Sequence, residues 1–279
     1  MRRVWPYIAL IHPWAVLVVM LATALFGLLA AGGRPDPARY ALLLAGMLGG
    51  QVAIGALNEY RDRELDARAK PWRPLPSGAV TPTAARRLVA LGLLVMTGAG
   101  LLLGLAPLLV LLILTGAGLA YDLWFKATRW SWLPYLVALP LLPSWVWLTL
   151  GRPAPRLLLL YPLGAPMVLA VHLAQSLSDA ESDRAAGAGS LVARLGRREA
   201  LALLGAAALL ACLEIALFAL WLSARPAPAL LAAVVSALLL AGALAADRLA
   251  PRLLDRYLFH LTTLLTIALG AGWVLSAGL

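Results

Sequence analysis

The chain has 279 residues, of which 62% are hydrophobic and only 13% are charged. These fractions exclude a soluble globular domain of this size and are typical of a protein that crosses a membrane several times. A net charge of +10 would suit a nucleic-acid-binding protein, but the distribution of the charges favours another explanation, given below. The single cysteine, Cys212, excludes a disulfide framework and a thiolate metal site.

Apolar segments of membrane-spanning length follow one another along the chain. We expect spans at 7–31, 39–58, 83–104, 106–122, 133–150, 156–178, 199–222, 227–247 and 257–277. The first segment lacks the small-residue cleavage site of a signal peptide, so we expect it to be retained. The sequence therefore predicts an all-α integral membrane protein with about nine transmembrane helices, in a single domain over residues 1–279. Charged loops are expected at about 59–82, 123–132 and 179–198, with a shorter one at 248–256.

The basic residues divide unequally between the two ends of the predicted spans. Eighteen of the 23 Lys and Arg residues fall on one side. The other five are Arg34, Arg39, Arg152, Arg156 and Arg225. Because cytoplasmic loops carry an excess of Lys and Arg, we expect the N-terminus and the charged loops to be cytoplasmic and the C-terminus to be external. The net charge is then largely a signal of membrane topology, and no nucleic-acid partner is expected.

An acidic motif comes directly after the second predicted span. Asn58, Asp62 and Asp66 follow one another at intervals of four residues, and Gln51 and Gly55 extend the same stripe into the span. On a helix these residues share one face, where two like charges repel each other unless a cation lies between them. Carboxylates are also costly at a membrane boundary, so the motif indicates a functional site that holds a metal.

A second acidic motif follows the sixth predicted span. Asp179 and Asp183 are again four residues apart, and His172 with Gln175 or Ser176 continues their stripe into the span. Polar stripes of this kind are expected to face a cavity inside the protein rather than lipid. Because the two motifs are four spans apart, they suggest two halves of four helices, each with a carboxylate pair at the same level.

Two facing carboxylate motifs suit Mg²⁺, which takes a few carboxylates and completes its shell with water and phosphate oxygens. Mg²⁺ that bridges a diphosphate would neutralise it as a leaving group and let a carbon–oxygen bond ionise. Cations and a hydroxyl near the motifs are candidates for the remaining diphosphate contacts. These candidates are Arg68, Lys70, Arg73, Tyr121, Lys126 and Arg129.

The motifs, taken in order, resemble those of the UbiA superfamily of intramembrane prenyltransferases. The resemblance rests on Asn58-x₃-Asp62-x₃-Asp66, on the following 73–78 segment Arg-Pro-Leu-Pro-Ser-Gly, on Tyr121-x₄-Lys126 and on Asp179-x₃-Asp183. It covers nearly the whole chain. It implies nine helices around a central cavity that opens to lipid and is capped by cytoplasmic loops.

The resemblance also implies roles for individual residues. Asn58, Asp62 and Asp66 would hold one Mg²⁺ ion, Asp179 and Asp183 would hold a second, and both ions would bind a prenyl diphosphate. The diphosphate would also contact three further residues, namely Arg73, Tyr121 and Lys126. Many members of the family have Arg or Lys before a proline in the first span, whereas this chain has His12 before Pro13. The identity of the acceptor therefore stays open.

Three functions remain on this basis. The first is prenyl transfer to a lipid-soluble, aromatic acceptor; the second is cyclisation of the same diphosphate, which needs no acceptor pocket; the third is a transporter or scaffold. His172 is equally suited to contact an acceptor or to form a hydrogen bond in the core. Glu214 and His260 are expected to be buried polar groups without a chemical role. Tryptophans expected in an interfacial belt or in packing are Trp124, Trp130, Trp132, Trp145 and Trp147.

Overall fold

The computed structural model describes residues 4–185 and 191–279, and within these ranges the protein is helical and has no β-strand. The α-helices of the described ranges are α1 (Trp5–Leu10), α2 (Pro13–Ala30), α3 (Pro37–Ala69), α4 (Pro82–Leu103), α5 (Leu105–Ala120), α6 (Leu133–Thr149), α7 (Leu160–Ala185), α8 (Leu191–Leu195), α9 (Arg197–Leu222), α10 (Ala227–Ala245) and α11 (Pro251–Ala277). A π-helical turn, Tyr121–Phe125, continues α5, and a 3₁₀ turn, Pro155–Leu159, leads into α7.

Eight helical segments of the described chain are long and apolar enough to cross a membrane. They include helices α2–α5, α7 and α9–α11. The remaining predicted span, 133–150, forms α6, which has 17 residues and falls at the short end of spanning length. The prediction of an all-α, multi-pass membrane protein is confirmed. The predicted number of nine transmembrane helices is approximate.

The first predicted span, 7–31, is divided in the structure. α1 ends at Leu10 and α2 begins at Pro13. Proline disfavours the right-handed helical conformation in the residue before it, which interrupts the helix at His12. His12 itself has left-handed backbone angles, φ 54° and ψ 66°. The predicted single continuous helix over 7–31 is therefore wrong at this point, because the local effect of Pro13 divides it.

Two helices extend further than the predicted spans. α3 continues from residue 58 to Ala69, and α7 continues from residue 178 to Ala185. The first parts of the expected loops 59–82 and 179–198 are therefore helical. Polar residues ended the predicted spans, but a helix that leaves the hydrocarbon region can carry them without penalty.

The chain divides into two compact units. The first unit contains the residues up to Trp124 and Leu142–Pro153, and the second contains Phe125–Leu141 and Ala154–Leu279. Each unit includes four of the eight long helices, as the spacing of the acidic motifs suggested.

In the first unit α3 packs against α2, α4 and α5. Its approach to α4 is close, because a Cβ at Gly49 would lie 2.6 Å from the carbonyl oxygen of Gly92. Glycine at both positions removes this obstacle, as small residues do at many helix contacts in membranes. The position of α3, and so of the motif at its end, is therefore set by backbone-to-backbone packing.

In the second unit α7, α9, α10 and α11 form a ring. α7 packs against α9 and α11, and α10 packs against the same two helices. One guanidinium joins the start of α9 to the residues around the start of α11: Arg197 donates to Asp247 and to Asp255. The charged cluster therefore ties the start of α9 to residues 50 and 58 positions later in the chain.

Candidate functional site

α3 is longer than a helix needs to be to cross a bilayer, and the first acidic motif lies near its end. The helix has 33 residues, which is about 50 Å, whereas the hydrocarbon core is about 30 Å thick. Its last turns can therefore extend into the polar boundary. Asn58, Asp62 and Asp66 lie on this uninterrupted helix, so their spacing places them along one side of it.

Arg73 binds two carboxylates of α3 with the same nitrogen. Its Nη1 donates to Glu59 Oε1 over 2.6 Å and to Asp66 Oδ2 over 3.1 Å. Glu59 is 2% exposed and Asp66 is 4% exposed, so each charge requires a partner to offset its lost hydration. The two carboxylates are seven residues apart, which is about two helical turns, so one guanidinium can reach both.

The connection that carries Arg73 is docked by apolar side chains. Leu75 and Val80 are buried in one hydrophobic cluster. The other buried members of the cluster are Leu10, Ala56 and Ala85. A backbone hydrogen bond of 3.0 Å from Val80 to the carbonyl of Pro74 closes the turn. Arg73 is therefore supported by packing on one side and by the carboxylates on the other.

His12 approaches Glu59 from the break between α1 and α2. Its Nε2 lies 3.4 Å from Oε1 of Glu59. Gly55 allows this approach, because a Cβ there would lie 2.7 Å from the carbonyl oxygen of Ile11. His12 has a left-handed backbone, which costs a non-glycine residue about 1–2 kcal/mol. Such strain persists where the surrounding structure requires it.

Asn58, expected to hold a metal, is itself oriented by a carboxylate. Its Nδ2 donates to Oδ1 of Asp122 over 2.7 Å. Asp122 is 7% exposed and lies in the π-helical turn after α5. Because the amide nitrogen faces Asp122, the amide oxygen of Asn58 is the atom available to bind a cation.

Three of these residues were not predicted from the sequence as part of the site. Glu59 and Asp122 had no expected role, and His12 was only a departure from the family pattern. A signal existed for Glu59, which precedes Asp66 by two helical turns and so shares its face. For Asp122, the signal was a carboxylate at the end of an otherwise apolar helix.

The other first-unit candidates have different surroundings. Asp62 and Lys70 are half-buried, whereas Arg68 is exposed. The amide nitrogen of Gln51 lies 3.8 Å from the sulfur of Met47, one turn earlier in the same helix. Gln51 is thus not brought to the acidic cluster but lies deeper along α3. Tyr121 begins the π-helical turn and is half-buried.

Lys126 and Arg129 belong to the segment that follows the π-helical turn. Lys126 is half-buried, and Arg129 is exposed with its guanidinium 5.0 Å from the ring of Trp130. This cation–π contact is the interaction that the structure shows for Arg129. Of the expected belt or packing residues, Trp124 and Trp130 are exposed and Trp132 is half-buried. The buried ones are Trp145 and Trp147.

His172 lies at the centre of a buried polar network in the second unit. It is fully buried, and its Nε2 is 2.9 Å from the hydroxyl of Ser131. The ring of Tyr135 packs edge-on against the imidazole at 5.3 Å, and its hydroxyl donates to Gln175. Ser176 lies 3.4 Å from the same imidazole nitrogen. The structure therefore brings His172 and Gln175 into one network, as their spacing suggested.

The second acidic motif is on the continuation of α7. Asp179 and Asp183 fall within the helix, which extends to Ala185, but their side chains lie outside the described part of the structure. Gln175 precedes Asp179 by one helical turn.

Oxygen donors at the end of α3 fit Mg²⁺ when it is shared with a phosphate. The amide oxygen of Asn58 and the carboxylate of Asp62 are hard ligands of the kind that this ion prefers. Among the described residues no three His, Cys, Asp or Glu side chains are grouped closely enough to hold a metal. Mg²⁺ is commonly held by only one or two carboxylates together with substrate phosphates, so the donor set suits an ion that arrives with a ligand.

Fold and site define a polytopic membrane protein with an oxygen-rich site at the end of a spanning helix. A family model for the UbiA prenyltransferase family matches residues 19–262, which is most of the chain. The protein therefore belongs to the UbiA prenyltransferase family. The resemblance drawn from the sequence motifs is confirmed.

Two curated relatives represent different members of this family. The chain is 36% identical to protoheme IX farnesyltransferase 2 of Pyrobaculum aerophilum over 131 residues. The aligned residues make up 45% of each chain. It is 27% identical over 204 residues to digeranylgeranylglyceryl phosphate synthase of Natronomonas pharaonis, which is 72% of this chain and 73% of the relative. The match therefore spans less than half of the farnesyltransferase.

A solved structure shows the same fold over the full length. It is a UbiA homolog from Archaeoglobus fulgidus bound to GPP and Mg²⁺, with a TM-score of 0.71 and 18% identity. The alignment covers 96% of this chain and 99% of that chain. At this level of identity the similarity establishes the fold.

Proposed function

We propose that this protein transfers a prenyl group from an allylic prenyl diphosphate to a lipid-soluble, aromatic acceptor within the membrane and releases diphosphate. Membership of the UbiA prenyltransferase family supports the reaction class. Relatives named for farnesyl transfer and for digeranylgeranylglyceryl phosphate synthesis support an isoprenoid donor. The observation that carries the proposal is the hydrogen bond from Asn58 to Asp122, which leaves the amide oxygen of Asn58 as the cation ligand one helical turn before Asp62.

Two Mg²⁺ ions are proposed as cofactors. Asn58, Asp62 and Asp66 are the proposed ligands of one ion, and Asp179 and Asp183 those of the other. The Archaeoglobus fulgidus homolog is bound to GPP and Mg²⁺, which supports Mg²⁺ as the metal. When bound, Mg²⁺ supplies charge neutralisation for the diphosphate leaving group.

Arg73 is ready to bind phosphate oxygens without giving up its carboxylate contacts. Both of those contacts use Nη1. A guanidinium has five N–H groups, so Nε and Nη2 can donate to a diphosphate while Nη1 stays with Glu59 and Asp66. Further donors proposed for the diphosphate are Arg68, Lys70, Tyr121, Lys126 and Arg129.

The site residues favour ionisation of the donor over covalent catalysis. They provide carboxylates, amides and cations, and the only cysteine is buried among apolar side chains of the second unit. Groups that stabilise developing negative charge on diphosphate lower the barrier to breaking the allylic carbon–oxygen bond. The acceptor then attacks the allylic carbon.

The network around His172 favours transfer over cyclisation. Ser131, Tyr135 and Gln175 surround His172 with groups that can donate and accept hydrogen bonds. An acceptor with a hydroxyl or carbonyl group can exchange hydrogen bonds with such a network, whereas cyclisation of a prenyl diphosphate requires no polar acceptor contact. Gln51 and His172 are retained as proposed substrate contacts.

Diphosphate release tests the proposed reaction. Purified protein in detergent should release diphosphate from GPP only with Mg²⁺ and, for a transferase, only with an aromatic acceptor such as 1,4-naphthoquinol. Asp62→Asn and Asp179→Asn should each lower release by about 100-fold or more, since each removes a proposed metal ligand. The matched control is Glu64→Gln, because Glu64 is on the same helix with its side chain 83% exposed.

Retained activity in either aspartate variant, or activity in EDTA, would contradict the two-metal assignment. Release that is equally fast without an acceptor would support cyclisation or hydrolysis instead of transfer.

A further inference from the structure

Two arginines from different helices of the first unit lie against the ring of Tyr60. Tyr60 is near the end of α3, where it packs against the hydrophobic cluster that includes Leu75 and Val80. The guanidinium carbon of Arg63, also on α3, is 4.5 Å from the centroid of this ring. That of Arg86, near the start of α4, is 5.9 Å from the same centroid. Two cation–π contacts therefore hold both guanidinium groups beside one ring.

The charge of Arg63 is offset within α3, whereas the charges on α4 are not. Arg63 donates to the carbonyl oxygen of Tyr60 over 2.7 Å and to Oε1 of Glu64 over 2.8 Å. Arg86 and Arg87 are exposed, and within the described ranges neither forms an ion pair or a hydrogen bond through its side chain. α4 contains no acidic residue. Net positive charge therefore remains on the arginine patch, which consists of Arg63, Arg86 and Arg87.

The arginine patch lies directly above a surface that faces lipid. Arg87 shares a face of α4 with Leu91 and Leu94, four and seven residues later, which are 54% and 70% exposed. α4 is a candidate membrane span, so acyl chains cover these leucines and lipid headgroups lie at the level of Arg87. Arginines at the end of a span also signal topology, but topology does not require two guanidinium groups to share one ring.

We propose that the arginine patch binds the phosphate of an anionic phospholipid between the end of α3 and the start of α4. Guanidinium groups form paired, charge-assisted hydrogen bonds with phosphate oxygens. Basic sites between membrane helices recognise anionic headgroups in this way. Because the ring of Tyr60 already positions Arg63 and Arg86, these side chains lose less freedom when a headgroup binds.

A lipid with net negative charge suits this site better than a zwitterionic one. Phosphatidylcholine carries an ammonium group that cancels the charge of its phosphate, whereas phosphatidylglycerol has no such group. The distribution of Lys and Arg also places the patch on the expected cytoplasmic side, where the leaflet carries anionic lipids. The inference is independent of the proposed transfer reaction, since it requires neither a prenyl diphosphate nor Mg²⁺.

Competition between two lipids tests the proposal on the unchanged protein. The full-length protein in detergent is mixed with equal amounts of dioleoyl phosphatidylglycerol and dioleoyl phosphatidylcholine, which have the same acyl chains. Native mass spectrometry then measures the protein that retains one lipid. Retained phosphatidylglycerol should exceed retained phosphatidylcholine by about five-fold or more, because only its headgroup has a net charge to complement the patch.

Variants locate the site on the protein. Arg86→Gln should lower the retained phosphatidylglycerol by about five-fold. Tyr60→Leu keeps the net charge but removes the ring, and should lower it by about three-fold. The matched control is Arg198→Gln, which removes the same charge from an exposed arginine at the start of α9 in the second unit. It should change the retained lipid by less than about two-fold. Thermal unfolding checks that each variant is folded.

Equal retention of the two lipids by the unchanged protein would overturn the proposal, whatever the variants do. Equal losses in Arg86→Gln and Arg198→Gln would also overturn it, because net charge and not this site would then bind the lipid. Inorganic diphosphate that displaces phosphatidylglycerol at equal concentration would assign the patch to soluble phosphates instead of lipid. Loss of diphosphate release with intact lipid retention would count against the proposed function alone.

Discussion

The Nη1 of Arg73 donates to Oε1 of Glu59 over 2.6 Å, although the two residues are 14 positions apart. Glu59 is on α3, and Arg73 is in the turns that follow it. Since Glu59 is 2% exposed, its carboxylate is stabilised by contacts within the protein and not by water. Arg73 is therefore held beside the first acidic motif before a substrate binds, which reduces the entropy lost on binding.

Removing the charge of Glu59 should weaken both the fold and the site. Glu59→Gln keeps the side-chain volume but loses a charge-assisted hydrogen bond, so we expect a loss of about 2 kcal/mol in unfolding free energy. Because Arg73 is less well positioned, the KM for prenyl diphosphate should rise more than kcat falls. Thermal unfolding in detergent and steady-state diphosphate release measure the two effects.

The exposed Glu64 provides the comparison for that variant. Glu64→Gln should change unfolding by less than about 0.5 kcal/mol, as is usual for surface substitutions. If both variants behave alike, the Arg73–Glu59 pair does not support the site.

The hydrogen bond between Asn58 and Asp122 should control the metal requirement. Asp122→Ala frees the amide of Asn58 to rotate, and loss of such an orienting partner typically lowers metal affinity by about 10- to 100-fold. The Mg²⁺ concentration for half-maximal diphosphate release should rise by this factor. Asp122→Asn, which keeps the shape of the side chain, should have a smaller effect.

A double-mutant cycle can separate this effect from a general loss of packing. If Asp122 acts through Asn58, the Asp122→Ala change should have little further effect in an Asn58→Ala background. Additive changes in the Mg²⁺ requirement would show that Asp122 acts elsewhere.

The loss of stability as the pH falls should depend in part on Asp247. Hydrogen bonds from Arg197 lower the pKa of the Asp247 carboxyl below its ordinary value of 3.8. A carboxyl with a depressed folded-state pKa stabilises the fold fully above its unfolded-state pKa, and this contribution is lost as the pH falls through the folded-state pKa. Asp247→Asn should therefore be less stable than the original chain at neutral pH, with the difference shrinking below pH 3.8.

Thermal unfolding between about pH 7 and about pH 3 measures this dependence. Glu199→Gln is the control, since Glu199 is an exposed carboxylate near the start of α9. A constant difference between Asp247→Asn and the original chain across this range would contradict the assignment to the Arg197–Asp247 pair.

The distribution of Lys and Arg predicts which side of the membrane holds the first acidic motif. Ala67 follows that motif and is exposed, and Arg156 is exposed at an expected external connection. A membrane-impermeant maleimide added to intact cells should label Arg156→Cys and not Ala67→Cys, and inverted vesicles should give the opposite pattern. Labelling of Ala67→Cys from outside would reverse the proposed orientation.

The number and order of the long helices could be predicted because their signals are local. Eight helical segments coincide with predicted apolar spans, and the helical spacing of Asn58, Asp62 and Asp66 follows from a continuous α3. The helix ends were less accurate. Polar residues after position 58 marked a boundary of the hydrocarbon region, which is not the end of a helix.

The sequence by itself determined the membrane class, the family motifs and the candidate acidic residues, since each depends on residue type and near spacing. Only the tertiary structure decided that Glu59 pairs with Arg73, that Asp122 orients Asn58 and that His12 lies against the same buried carboxylate. These contacts join residues that are 14, 64 and 47 positions apart. Such contacts depend on how the helices pack, and at Gly55 that packing brings Ile11 against the backbone of α3.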